Sequence, residues 1–380
     1  MTIGTEHEYS INDQSFHPLS ISDQVIKELA GELKNEIPFG PVHLSKELQK
    51  HVLEITPAVP AHDIVSLEAS LYSGLQGFYA RTEGKYRLLG LGMHPALRLK
   101  EAQVWDHEDS EIYEIYDRLF DIRQHGWLNI QALQVNLPFR DGEDMVRMYN
   151  RLRALIPYLV AVSASSPLVE GKETRAMDNR LIFYRENQRR LPMITHGIIP
   201  EKLRSPEHQR QIQEEMYATL REHGGERLCH EWVDSRGVIV RFSRCCLELK
   251  AIDEQECLRA DMAIVAFILA LLRCDDLGLE EDEDALKEMT EKAILGGVSQ
   301  FRPELRKLHT VASKRASADE RRYLPLIKTK VECGSLAEVM LQERHEGKGL
   351  LVMLQEMEKA LRTNVPHQCG ACKRSDPFGI

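Results

Sequence analysis

Ile3-Gly4-Thr5-Glu6-His7-Glu8-Tyr9 is the stretch that decides the fold. It reads as a first β-strand, where alternate side chains share a face, so Glu6 and Glu8 point the same way about 7 Å apart. Two parallel carboxylates repel unless a positive charge lies between them. A divalent cation held by hard oxygen ligands is the most economical partner, and Mg²⁺ with nucleotide phosphates is its commonest use. An exposed strand face spells the same pattern, so the pair decides little until its neighbours are read.

The pattern recurs. In Leu133-Gln134-Val135-Asn136-Leu137 the apolar residues face one way and Gln134 and Asn136 the other. Glu248 and Lys250 oppose Leu247 and Leu249, and Glu54 opposes Leu53 and Ile55. If these strands share a sheet, Glu6, Glu8, Glu54, Gln134, Asn136, Glu248 and Lys250 converge on its open surface. Four carboxylates, two amides and a lysine suit a metal–phosphate site. A wet antiparallel face alternates in the same way, and spacing alone leaves the two readings even.

Strand patterns fall at 2–11, 51–56, 86–91, 128–137 and 238–250. Helical spacing follows Asp141-Gly142-Glu143-Asp144, Ser205-Pro206-Glu207 and Asp253, which is read as a helix cap. A further helical pattern fills 335–361, broken at Gly347-Lys348-Gly349. The acidic stretch 275–292 reads as a surface helix, and 171–200 as a long loop or lid. The irregular order and half-polar strands predict an α+β fold: a largely antiparallel sheet, helices on one face, a site on the other.

The 380 residues are 43% hydrophobic and 28% charged, an ordinary globular composition. A net charge of −10 argues against a general nucleic-acid binder. The polar, acidic opening lacks a signal-peptide core, and the longest apolar run, 262–272, is too short to span a bilayer. A cytoplasmic location with reduced thiols is expected for the eight cysteines, and no membrane partner. Cys369-Gly370-Ala371-Cys372 has redox or metal spacing but no second pair nearby. A Walker loop, HExxH and G-x-S-x-G are all missing from the sequence.

In this order, the segments resemble the carboxylate–amine ligase family that includes the bacterial type of glutamate–cysteine ligase. Residues 3–8 look like its opening Gly-x-Glu-x-Glu strand, and Val52-Leu53-Glu54-Ile55 is similar to its second strand. Gly90-Leu91-Gly92-Met93-His94-Pro95 resembles its Gly-x-Gly-Thr-His-Pro turn. Ser163-Ala164-Ser165-Ser166-Pro167, with Glu170, Gly171, Thr174 and Arg180, is similar to its next segment. Leu247-Glu248-Leu249-Lys250 with Asp253 looks like its Val-Glu-Val-Arg…Asp strand. The match spans about residues 2–275.

The resemblance implies a sheet curled into a funnel, as in the glutamine synthetase catalytic domain, and ATP-dependent amide formation through an acyl phosphate. It implies Glu6, Glu8, Glu54 and Glu248 as Mg²⁺ ligands, and Gln134 and Asn136 near the cofactors. Lys250 and Arg180 would contact phosphate or a substrate carboxylate. The expected partners are a small carboxylate and a small amine, with a homo-oligomer left open. The expected organisation is a core at 1–275, a helical portion at 276–365 packed on it, and a CxxC tail at 366–380.

There are departures. The family's His-Val-His is Gln134-Val135-Asn136 here, and its Thr-Glu-Ser is Gln49-Lys50-His51, which exchanges a carboxylate for an amine. Lys50 is expected near the funnel, with Glu47 filling an upstream acidic position. Lys250 gives up an arginine's planar fork. These losses keep open a degenerate member that binds a metabolite or protein without catalysis, and a metal-dependent hydrolase. His94, Glu170, Thr174, Arg185, Arg189 and Arg190 remain secondary candidates.

Overall fold

The computed structural model describes residues 2–274 and 276–367. Ten strands occur among them: β1 (Gly4–Asn12), β2 (Glu36–Phe39), β3 (Val42–Lys46), β4 (Val52–Pro57), β5 (Arg87–Leu89), β6 (Ala132–Pro138), β7 (Leu168–Val169), β8 (Lys172–Glu173), β9 (Val238–Arg241) and β10 (Cys246–Asp253). Eight form one antiparallel sheet in the order β2-β3-β4-β1-β6-β10-β9, with β5 also pairing to β1. The sheet is not closed, and β7 and β8 make a separate hairpin.

Period-two patterning sets the register. Leu133, Val135, Leu137, Leu247, Leu249, Leu53 and Ile55 are buried on one face. The helices Ile64–Arg81 and Gly142–Ser163 pack there, and behind them lies Leu258–Leu272, whose residues are almost all buried. Pairing then fixes the other face: Glu8 lies opposite Glu54, Glu6 opposite Gln134, and Asn136 opposite Glu248. The fold is therefore α+β, an open antiparallel sheet with helices on its outer face. No helix among the described residues is long and apolar enough to cross a membrane.

Helix starts follow their caps. Asp141 accepts from the Asp144 amide and Ser205 from the His208 amide, and Ser335 makes a capping box with Glu338. The last helical stretch is split into Leu336–His345 and Leu350–Thr363. The helix Glu283–Gly296 packs on Gly142–Ser163, and Arg302–Arg315 and Leu324–Cys333 pack on Leu258–Leu272.

Several expectations need correction. Asp253 caps no helix: it ends β10, and the helix begins at Leu258 with Cys257 at its cap position. The segment 238–250 is a hairpin, turned at Phe242–Arg244 with Cys245 at φ 50°. Cys245 is therefore exposed in the turn, and Cys246 begins the strand. Strands β2 and β3 carry too few residues to show a period and were not expected. Within 171–200 lie β8 and a short helix, Asn179–Tyr184, capped by Asp178. The acidic stretch turns helical only from Glu283, where Asp282 supplies the cap. The Cys369/Cys372 motif lies outside the described residues.

Candidate active site

β1 and β4 bring Glu8 and Glu54 side by side, and the turn after β3 adds Glu47. Each of the three offers a carboxylate oxygen, all within 4.8 Å of one another. Burial, then the Glu47 charge, push Glu8 up to about 8. Burial and the surrounding glutamates raise Glu54 well above the carboxylate range. Burial likewise raises Glu47. Like charges held this close in a poorly hydrated place favour protonation until a cation arrives.

Polar side chains of β6 orient the strand glutamates. Glu8 accepts from the Ala132 amide at 2.7 Å and from Gln134 Nε2 at 3.0 Å. Glu6 accepts from Asn136 Nδ2 at 3.0 Å and lies 3.5 Å from Arg244. Burial and the Glu248 charge raise its pKa. A cavity of about 530 Å³ opens beside Glu6, Glu54, Asn136 and Arg244.

Cations occupy the far part of the same face. Glu248 is held between Arg241 and Lys250, the latter at 2.7 Å. Burial alone would raise Glu248, but these two cations outweigh it and hold it below its usual value. Arg180 is buried; its Nε donates to Asp253 at 2.6 Å and its Nη1 to the Lys250 carbonyl at 3.3 Å. Its Nη2 is buried without a hydrogen-bond partner. Asp253 also accepts from the Ser165 amide and the Ser166 hydroxyl. A Cβ on Gly92 would sit 2.2 Å from the Asp253 carboxyl carbon, so only glycine fits beside this junction.

The sheet thus gathers Glu6, Glu8, Glu54, Gln134, Asn136, Glu248, Lys250 and Arg180 on or beside one face. Lys50 is elsewhere, bound to Asp23 at 2.7 Å and Asp106 at 3.1 Å, which corrects its expected place near the funnel. His94 is buried and accepts from the Ala96 amide through Nδ1. Glu170 lies 3.6 Å from His125, and Thr174 bonds Asn179. Arg185 pairs with Glu291, and Arg190 donates to the carbonyls of Arg118 and Leu119. Sequence reasoning missed Arg241. Reading 238–250 as one strand hid the hairpin whose register turns Arg241 towards Glu248.

An open antiparallel sheet bearing carboxylates beside buried cations places the chain among the carboxylate–amine ligase folds. Residues 2–358 match glutamate–cysteine ligase family 2 (GCS2). The chain belongs to that family and is a ligase-class enzyme. An uncharacterized protein of Archaeoglobus fulgidus is 45% identical over 95% of this chain and 99% of its own length. A glutamate–cysteine ligase of Halobacterium salinarum is 29% identical, over 46% of each chain. The relatives named as glutamate–cysteine ligases are thus matched over about half their length. In fold, a glutamate–cysteine ligase of Francisella tularensis solved with AMP superposes at TM-score 0.61 and 11% identity, covering 96% of this chain and 89% of that one. The ligase PafA, solved with the ubiquitin-like protein Pup, reaches 0.51 at 9% identity, covering 94% and 72%.

Proposed function

We propose that this enzyme joins a small carboxylate to a small amine at the expense of ATP. The observation that carries this reading is one face with two electrostatic halves. Three carboxylate oxygens lie within 4.8 Å of one another, and a cationic half is built from Arg180, Arg241 and Lys250. All-oxygen donors, their pKa values raised by burial and then by neighbouring glutamate charge, fit a hard divalent cation such as Mg²⁺. Glu8, Glu47 and Glu54 would hold it, with Glu6 and Glu248 as the further ligands of that face. Bound there, the ion would neutralise phosphate charge.

Arg180, with its unpartnered Nη2, and Lys250 would hold a phosphate or the substrate carboxylate. Gln134 and Asn136 keep Glu8 and Glu6 aimed and close the cofactor site on the β6 side. A substrate carboxylate oxygen attacks the γ-phosphorus of ATP, ADP leaves, and the amine nitrogen then displaces phosphate from the acyl carbon and loses a proton. The chain's own contribution is positioning and charge neutralisation.

Purified protein given ATP, Mg²⁺ and paired panels of acids and amines should release ADP only when both substrates are present. Hydroxylamine in place of the amine should yield a hydroxamate. ATP turnover that ignores the acid would overturn the reading. The occupied Glu248 favours a second one, a member that binds without catalysis. Calorimetry with ATP and Mg²⁺ showing tight binding, but no ADP release with any pair, would establish it.

A further inference from the structure

Behind the sheet, on the opposite face of β1, lies a second charged group that the proposed chemistry does not use. His7, Glu254 and Asp261 are fully buried and lie mutually close. His7 Nδ1 is 3.2 Å from Glu254 Oε1 and 3.6 Å from Asp261 Oδ2, while its Nε2 meets the Thr5 hydroxyl at 3.0 Å. Burial alone would lower the imidazole's pKa, but Glu254 and Asp261 outweigh it and raise it. Burial raises the two carboxyls as well, and the Asp261 charge adds to it at Glu254, so the three groups hold their protons in common.

Glu254 also reaches through to the front strand. Its Oε2 accepts from the Glu8 amide at 3.3 Å. That amide lies where the pairing of β1 with β6 stops, for the ladder runs from Gly4 opposite Asn136 to His7 opposite Leu133. One step further, the Glu8 carboxylate takes the Ala132 amide itself. Glu254 therefore supplies an acceptor at the point where the sheet no longer does. Its main chain is fixed as well: the carbonyl accepts from Ser165 Oγ at 2.8 Å and the amide donates to Gln131 at 3.4 Å. A buried amide left without an acceptor carries its full desolvation penalty, so the strand end moves to find another.

We propose that Glu254, anchored by His7 and Asp261, is a positioning residue that sets Glu8 from behind the sheet, so that metal-ion affinity on the front depends on a carboxylate that is not itself a ligand of the metal ion. This rests on reading Glu8, Glu47 and Glu54 as a cation site. The probe is Mn²⁺ alone, followed by electron paramagnetic resonance, with hydrogen exchange at the Glu8 amide and melting measured on the same samples.

Two variants separate reach from charge. Glu254→Gln keeps an oxygen at the same reach and removes the charge; its Mn²⁺ affinity should stay within about threefold of wild type, with a slow Glu8 amide. Glu254→Asp keeps the charge but falls short of the amide; its affinity should drop by about tenfold or more, as buried groups behind metal ligands commonly cause, and the amide should exchange faster. The reverse order, or two variants alike, overturns the proposal. Wild-type protein that binds no Mn²⁺ overturns the cation reading, and the amide exchange of the two variants then still decides whether Glu254 holds Glu8. If Glu254→Asp does not fold, Glu254→Gln alone remains decisive, because a fast Glu8 amide there sinks the idea.

Discussion

The two faces of β1 both carry buried carboxylates, and they solve the charge problem in opposite ways. Behind the strand, Glu254 and Asp261 share the imidazole of His7, whose charged form they favour. In front, Glu8, Glu47 and Glu54 close on one another, and burial with repulsion among the glutamates outweighs the nearby Lys46 and Arg180 and raises all three. Burial raises Glu54 well above its ordinary value, and repulsion from Glu6, Glu47, Glu8 and Glu248 adds to it. A cluster with a basic partner offsets much of its burial cost, whereas crowded carboxyls without an ion pair cost stability until something binds. The difference favours the front face as the proposed cation site more sharply than the number of acids on either face.

That contrast breaks most visibly at Glu54. Glu54→Gln should abolish most turnover, by about a thousandfold, because a metal-held charge contributes several kcal/mol to a phosphoryl-transfer barrier. The same change should raise the melting temperature of the metal-free protein at pH 8 and above, where the clustered carboxyls begin to ionise against one another. Unchanged ATP turnover would remove Glu54 from the site, and a lower melting temperature would refute the front-face account. The back face should respond with the opposite sign. His7→Leu leaves Glu254 and Asp261 with backbone amide donors but no imidazole between them, and should cost about 3 kcal/mol in denaturant titration, as broken buried ion pairs do. A neutral result there would show that the two carboxylates settle their charge without His7.

Acidity offers a milder test. Glu8, at about 8 in the folded chain, binds its proton more tightly than in the unfolded chain, and Glu6, Glu47 and Glu54 shift the same way. Their contribution is complete below about pH 4.5 and is lost as pH rises towards 8. Metal-free protein should therefore unfold at lower denaturant as pH goes from 5 to 8, and added Mg²⁺ should restore more stability at pH 8 than at pH 5. A flat or rising metal-free profile would show that the front glutamates stay charged without a cation.

How far the sequence reveals this site depends on which residues obey a period. Glu6, Glu8, Glu54, Gln134 and Asn136 sit on strands whose apolar residues alternate cleanly, so their common face can be read directly. Glu47 escapes that rule because it lies beyond the end of β3, in a turn without periodicity. Asp253 was misread because an acid before an apolar run looks like a cap; only Arg180, Ser165 and Ser166, brought from 73 to 88 residues away, reveal its partner. The His7–Glu254–Asp261 group was invisible for the same reason: a strand residue and a helix residue meet through tertiary packing, and no local pattern marks that contact.

The smallest expected effect separates aiming from binding on the front face. Gln134 touches Glu8 through one hydrogen bond of 3.0 Å, and the Ala132 amide holds the other carboxylate oxygen at 2.7 Å. Gln134→Ala removes one of two donors, a loss of about 1 kcal/mol, or roughly fivefold in Mg²⁺ affinity. Gln134→Glu adds a fourth carboxylate to a crowded cluster and should raise the metal-free sensitivity to pH while tightening Mg²⁺. If Gln134→Ala instead cost a hundredfold, Gln134 would itself be a ligand through its amide oxygen. The size of that one effect thus decides whether β6 only steers the glutamates or completes the site.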